Sequence, residues 1–365
     1  MMFRLALVAC ALSISLAGVS NATAADDFGD GVADTRDKVN RAIAMYSDVL
    51  VNTRDHNPWE VLHAIIGQGV NTQISRGGPG GEPVTAVGWL CFNGRCGGDS
   101  LLTWEQGRLA ARKGPRVQGH HGQFLAIMAQ VHVMPDYPLE YDGRRFAVLD
   151  LVESEKLGCR SGTELTFKLI GLSHYLLSDA TWKSDDGADW SISRLIHEEI
   201  AQPILRTAPC GGTHRLMGLA YSIRRRTKEG LPIDGEFRRA EKYLNDYHAY
   251  AFRLQNADGS FSTSWFEGPG ARPDLNRRLQ TSGHILEWLA FSLPKEQLQE
   301  PQMVKAVDYL AGILIEGQGR RWEIGPLGHA LHALRIYQTR VFPESSSDAG
   351  NDLALEPLDP LSAGS

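Results

Sequence analysis

The sequence predicts an all-α fold: an α/α toroid of about six helical hairpins, with inner and outer rings of helices. Three observations predict it. Six near-continuous apolar segments recur along the chain, four of them led by histidine. Each follows a more polar segment that carries a single apolar stripe. Helices apolar all round are buried and striped ones lie at the surface, so strict alternation of the two kinds calls for two rings. Finally, capping and helix-stopping residues sit at the expected borders.

In chain order, an outer stripe over about 36–51 precedes the first inner segment, Pro58-Trp59-Glu60-Val61-Leu62-His63-Ala64-Ile65-Ile66. The second outer position is the least regular: residues 71–118 are glycine-rich and read as helical only around Leu101–Arg112. His120-His121-Gly122-Gln123-Phe124-Leu125-Ala126 is the second inner segment. A stripe at 146–157 leads to the third, Glu164 to Leu172, with Ser161-Gly162-Thr163-Glu164 spelling a capping box. A stripe at 189–205 precedes His214 to Ala220, with Thr213 as its expected cap. The clearest stripe is at 236–254, where Phe237, Ala240, Leu244, Tyr247, Ala251 and Leu254 follow helical spacing. It leads to His284 to Ala290, for which Thr281 and Ser282 are the expected caps, and Pro294 stops that helix. A stripe at 302–315 precedes His329 to Leu334, and Pro326 falls in the first turn.

Residues 1–24 read as an export signal: Arg4, an apolar run from Leu5 to Val19, and Ala22-Thr23-Ala24 as a small-x-small cleavage site. The organisation expected is signal 1–24, lead-in 25–35, toroid 36–338 and a disordered acidic tail 339–365. No later segment approaches the roughly 18 apolar residues of a membrane span. Net charge is −6, and loss of Arg4 with the signal would make it −7, so nucleic acid is not an expected partner.

Leu254-Gln255-Asn256-Ala257-Asp258-Gly259-Ser260-Phe261 resembles the Gln-x-x-x-Gly-x-aromatic repeat of squalene and terpenoid cyclases and protein prenyltransferases. Gln255, Gly259 and Phe261 are the matching positions, and Gly317 to Trp322 is a fainter echo. The resemblance implies an α/α toroid in which the glutamine and the aromatic staple the loop between outer and inner helices. It carries no chemistry, because the Asp-x-Asp-Asp acid and the zinc ligand set of those families are missing. Asp185-Asp186-Gly187-Ala188-Asp189 spells Asp-Asp-x-x-Asp, but its glycine places it in a solvated turn. The chain as a whole also resembles an exported bacterial family.

In such a ring the inner helices bring their N-termini to one mouth, where partial positive charge suits carboxylates, phosphates or sugars. His56, His121, His214, His284 and His329 are expected there, with Glu164 as a further ligand-binding residue. His284 with Glu287, and His329 with His332, are three apart and share a helix face, which suits acid–base work. The expected ligand is a polar or anionic small molecule or a glycan, with no metal and no cofactor. One alternative is a carbohydrate-active hydrolase, lyase or epimerase using carboxylates among Asp55, Glu60, Glu164 and Glu287. The four cysteines beyond the signal suggest disulfides, Cys91 with Cys96 and Cys159 with Cys210. The second alternative is a zinc enzyme using Cys159, Cys210 and His214, the last two in Cys-x3-His spacing.

Overall fold

The structure, a computed structural model, describes residues 22–48, 51–204 and 208–343, with side chains from residue 34 onward. The expected export signal through residue 21, and the acidic tail from residue 344, lie outside the described residues. The chain is mostly helical. Its helices are α1 (Ala22–Met45), α2 (Pro58–Gln68), α3 (Ala86–Cys91), α4 (Gln123–Gln130), α5 (Val148–Leu157), α6 (Thr166–Tyr175), α7 (Ile192–Ala201), α8 (Thr213–Lys228), α9 (Gly235–Arg253), α10 (Leu275–Ser292), α11 (Pro301–Glu316) and α12 (Ile324–Val341). Among the described residues, no helix is long and apolar enough to cross a membrane.

The even-numbered helices form the core. Every residue of α4 and of α6 is buried, as their all-round apolar sequences require. By contrast α9 buries only Phe237, Ala240, Leu244 and Ala251, one stripe of a long polar helix. The core helices touch in sequence, α2 with α4, α4 with α6, α6 with α8, α8 with α10 and α10 with α12, and α12 returns to α2.

Glycine lets three of them press together. A Cβ on Gly328 of α12 would lie 2.2 Å from the His63 carbonyl oxygen of α2. One on Gly283 of α10 would lie 3.1 Å from the Ala330 backbone of α12. Gly328→Ala is therefore expected to destabilise the fold by about 1–3 kcal/mol. Urea unfolding checks this, and an unchanged midpoint would show that the helices can part without cost.

The all-α expectation needs correction at four places, each an antiparallel hairpin: β1 (Gln73–Ser75) with β2 (Pro83–Thr85), β3 (Leu102–Glu105) with β4 (Arg108–Ala111), β5 (Pro138–Tyr141) with β6 (Arg144–Ala147), and β7 (Thr181–Lys183) with β8 (Asp189–Ser191). The segment around Leu101–Arg112, expected to be helical, is the second hairpin. Gln106 and Gly107 both take positive φ, 51° and 78°, the two-residue turn that suits the twist of paired strands. Strands β2, β6 and β8 each run directly into α3, α5 and α7.

Helix borders also differ. α10 begins at Leu275, not near His284, because the Asp274 side chain accepts from the Asn276 and Arg277 amides. Thr281 and Ser282 are thus interior residues, and the Thr281 hydroxyl donates to the Arg277 carbonyl. The Ser161–Glu164 box caps nothing: α6 starts at Thr166, and Glu164 is engaged by His120. The expected disulfides are absent as well, since Cys91, Cys96, Cys159 and Cys210 are free thiols. Burial pushes the Cys91 and Cys96 thiols up to about 12 and that of Cys159 to about 11. The Cys159 thiol, just past the end of α5, donates to the Glu155 carbonyl of that helix, 3.4 Å away.

Candidate metal centre

The close approach of α2, α10 and α12 stacks imidazoles. The His284 and His329 rings lie 3.8 Å apart between centroids. His214, second residue of α8, stands 5.4 Å from the first and 5.2 Å from the other. His63 of α2 approaches His329 edge-on at 5.4 Å. One donor nitrogen from each of His214, His284 and His329 lies within 4.8 Å of the other two. That bound admits the roughly 3.4 Å spacing of nitrogens around a tetrahedral zinc with bonds of about 2.0–2.1 Å.

Hydrogen bonding fixes which nitrogens are free. Glu287 of α10 reaches across to α12, with Oε2 2.8 Å from His329 Nδ1 and Oε1 2.6 Å from His332 Nδ1. Burial would raise this carboxyl, but the neighbouring imidazoles, His329 foremost, more than offset it and hold it well below the usual carboxylate range. A carboxylate only accepts, so both imidazoles donate from Nδ1, which leaves Nε2 as the nitrogen turned toward other partners. His284 donates from Nδ1 to the Gln280 carbonyl at 2.8 Å, which leaves its Nε2 free in the same way. His63 repeats the pattern toward the Trp59 carbonyl at 2.7 Å. Both ring nitrogens of His214 are buried with no hydrogen-bond partner.

His63, His214 and His284 stay neutral. Burial pushes His214 down to about 4 and His63 to about 3, and His284 falls well below the ordinary histidine value. For His63 and His284 the neighbouring His329 adds to the effect of burial. Neutral imidazoles with one nitrogen tied to a carboxylate or carbonyl and the other free are the usual state of metal-ligating histidines. Leaving both His214 nitrogens buried and unmatched is costly without a partner.

The group opens on a cavity of about 390 Å³ lined by His120, Glu164, Gln202, Cys210, His214 and Arg215 among others. Here His120 Nδ1 pairs with Glu164 Oε2 at 2.8 Å, and the His120 ring is 6.5 Å from that of His214. Arg215 is held by buried Glu199 at 3.2 Å and by the Gln202 carbonyl at 2.6 Å. Glu199 also accepts from the Leu165 amide and the Thr166 hydroxyl, which fixes the start of α6 against the cavity wall.

Of the residues expected at one mouth, His214, His284 and His329 come together, and His332 joins through Glu287. His284 with Glu287 is not the hydrogen-bonded pair; the carboxylate spans to α12 instead. Glu164 lies in the cavity with His120, while His121 beside it is exposed. His56 lies elsewhere, its Nδ1 accepting from the Asn52 amide. Asp55 pairs with Arg54, and Glu60 closes the capping box on Asn57 of α2. Among the described residues, the clustered metal-competent donors are all imidazoles, so the set of Cys159, Cys210 and His214 gives way to His214, His284 and His329. Sequence reasoning missed His63 and His120 as members of the site. His63 sits inside an apolar run and reads as core, and His120 was passed over for its neighbour. Asp185 pairs with Arg108 and Arg160 at the β7–β8 turn, remote from metal chemistry. Comparison of the chain with protein-family models, with curated proteins and with solved structures finds no match.

Proposed function

We propose that this chain is an exported metal-dependent hydrolytic enzyme, its helices forming an α/α toroid and its metal, zinc as first candidate, held by His214, His284 and His329. The observation that carries this reading is the set of three imidazoles whose donor nitrogens lie within 4.8 Å of one another beside a cavity of about 390 Å³. The cycle of contacts among the six core helices supports the toroid. So does Gln255, whose side-chain amide donates to the Gly259 and Gln302 carbonyls at 3.0 and 2.9 Å, tying the turn after α9 to the start of α11.

A three-histidine zinc site keeps a fourth position for water and makes that water easier to deprotonate near neutrality. The protein's part is to keep the ligand nitrogens bare, which Glu287 and the Gln280 carbonyl do by engaging the opposite ring nitrogens. His120, oriented by Glu164 in the same cavity, is placed to move a proton. The polar groups His120, Glu164, Gln202 and Arg215, set in a wall that also carries Ile204 and Pro209, suit a substrate with a polar or anionic end, a small molecule or a glycan end. A paired-carboxylate glycosidase is less well supported, because Glu287 is enclosed by histidines and Asp55 and Glu60 are engaged elsewhere.

Elemental analysis of untagged protein tests the centre. About one zinc per chain is expected as isolated or after zinc titration, and His284→Ala and His329→Ala should each lose it. Absence of any stoichiometric divalent metal in both preparations sinks the proposal. A screen of ester, phosphoester and glycan substrates tests the activity: hydrolysis that survives complete chelation would leave the metal without the catalytic role.

A further inference from the structure

At the C-terminal ends of α8, α10 and α12 lie two adjoining cavities of about 20 Å³ each, which share Tyr221, Arg224 and Phe291. One also reaches Arg340 and His332, the other Ser173 and His174. Arginine near a helix C-terminus is ordinary, since the guanidinium meets partly negative carbonyls. Here Arg224 Nη1 donates to the Phe291 carbonyl at 3.0 Å, and Arg340 Nη1 donates to the Ala290 carbonyl at 2.5 Å and to that of Phe291 at 3.1 Å.

That role accounts for one nitrogen of each guanidinium, and the Phe291 ring faces the Arg224 guanidinium at 4.4 Å. The neighbouring Arg225 and Arg226 have carboxylate partners in Glu229, Asp179 and Asp234. Among the described residues neither Arg224 nor Arg340 forms an ion pair, although both bond the same carbonyl and both are half-buried. Burial first, and then the like charge of Arg224, pushes Arg340 down to about 10, against a weaker opposing pull from the Glu296 carboxylate. A second polar group on the rim is unmatched: the Ser173 hydroxyl is buried without a hydrogen-bond partner. Two adjacent cations, neither in an ion pair among the described residues and both half out of water, are costly unless an anion joins them.

Size decides which anion. A lobe of about 20 Å³ holds a single water-sized body. Phosphate or sulfate, with a full shell of oxygens, exceeds it, whereas a halide does not. We propose that Arg224 and Arg340 hold a monatomic anion, chloride in ordinary media, at this end of the core helices. Its lobe is lined by His332, whose Nδ1 is bound to Glu287, so the anion sits one imidazole and one carboxylate away from His329. The inference does not depend on the metal.

The test compares melting of the full chain in sodium gluconate and in sodium chloride at equal ionic strength. Chloride is expected to raise the melting temperature by about 2 °C or more, saturably, and Arg340→Gln is expected to lose that increment. Crystals soaked in bromide should show an anomalous peak between the two guanidinium groups. Identical melting of the unaltered protein in the two salts overturns the proposal, as does the absence of a bromide peak. A shift produced by phosphate or sulfate and not by chloride overturns the assignment of a monatomic anion. If Arg340→Gln does not fold, the salt comparison and the bromide peak on the unaltered chain still decide.

Discussion

Glu287→Ala is expected to destabilise the metal-free protein by about 3 kcal/mol or more and to weaken zinc binding by about 10–100-fold. The carboxylate is 2 % exposed and accepts from two buried imidazoles, so its removal leaves two Nδ1–H donors unmatched in the core. Both consequences have one cause: the donors that would be orphaned are the ones that keep the opposite nitrogens of His329 and His332 bare. Glu287→Gln separates them. An amide keeps the shape, but offers one acceptor oxygen where the carboxylate offers two, so one of the two histidines must change tautomer. Stability should then fall by less than in the alanine variant, while zinc affinity should still drop. Urea unfolding and a competitive zinc titration measure the two effects. A Gln variant with unchanged zinc affinity would mean that the carboxylate only fills space.

Acid should unfold the metal-free protein steeply below about pH 6.5. His63 and His174 are held down to about 3 and His214 to about 4, in each case mainly by burial. In the unfolded chain these rings titrate near 6.5. The folded values are the lower ones, so between about 6.5 and about 4 the unfolded chain takes up protons that the folded chain refuses. Stability is fully present above about 6.5 and falls by about 1.4 kcal/mol per pH unit for each such ring. It continues to fall through His63 and His174 toward pH 3. His174 lies apart from the metal centre, against His132 and the charges of Arg225 and Lys228. It therefore gives a clean control: His174→Gln should remove one ring's share of the slope. Urea midpoints from pH 8 to pH 4 check this. A flat profile, or one that His174→Gln leaves unchanged, would show that these histidines are not buried neutral.

Much of the helical framework was legible because burial leaves its mark on single segments. The runs in α4 and α6 have no polar face, so they are core helices wherever they pack. The hairpins were legible in part and not read. Asp142-Gly143 between β5 and β6 is a two-residue turn signal in plain sequence, and both residues take positive φ. The longer helical pattern at 146–157 masked it. At α10 the stripe of apolar residues pointed to a start near His284, whereas Asp274 caps the helix nearly three turns earlier, ahead of a polar stretch that periodicity discounts.

Apolar patterning along the chain is enough to make it mostly helical, to tell which helices lie inside, and to put His214, His284 and His329 on three of them. These follow from apolar patterning and helical spacing, which are local. Only the tertiary structure decided which of the many histidines face one another, that Glu287 serves α12 and not its own helix, that His63 joins and His56 does not, and that the cysteines stand as free thiols. The reason is geometric. A residue's place along a helix is fixed by 3.6 residues per turn, but its phase toward another helix depends on how closely the two axes approach. Here that distance is set by glycines at Gly283 and Gly328, whose contacts lie far away in the chain.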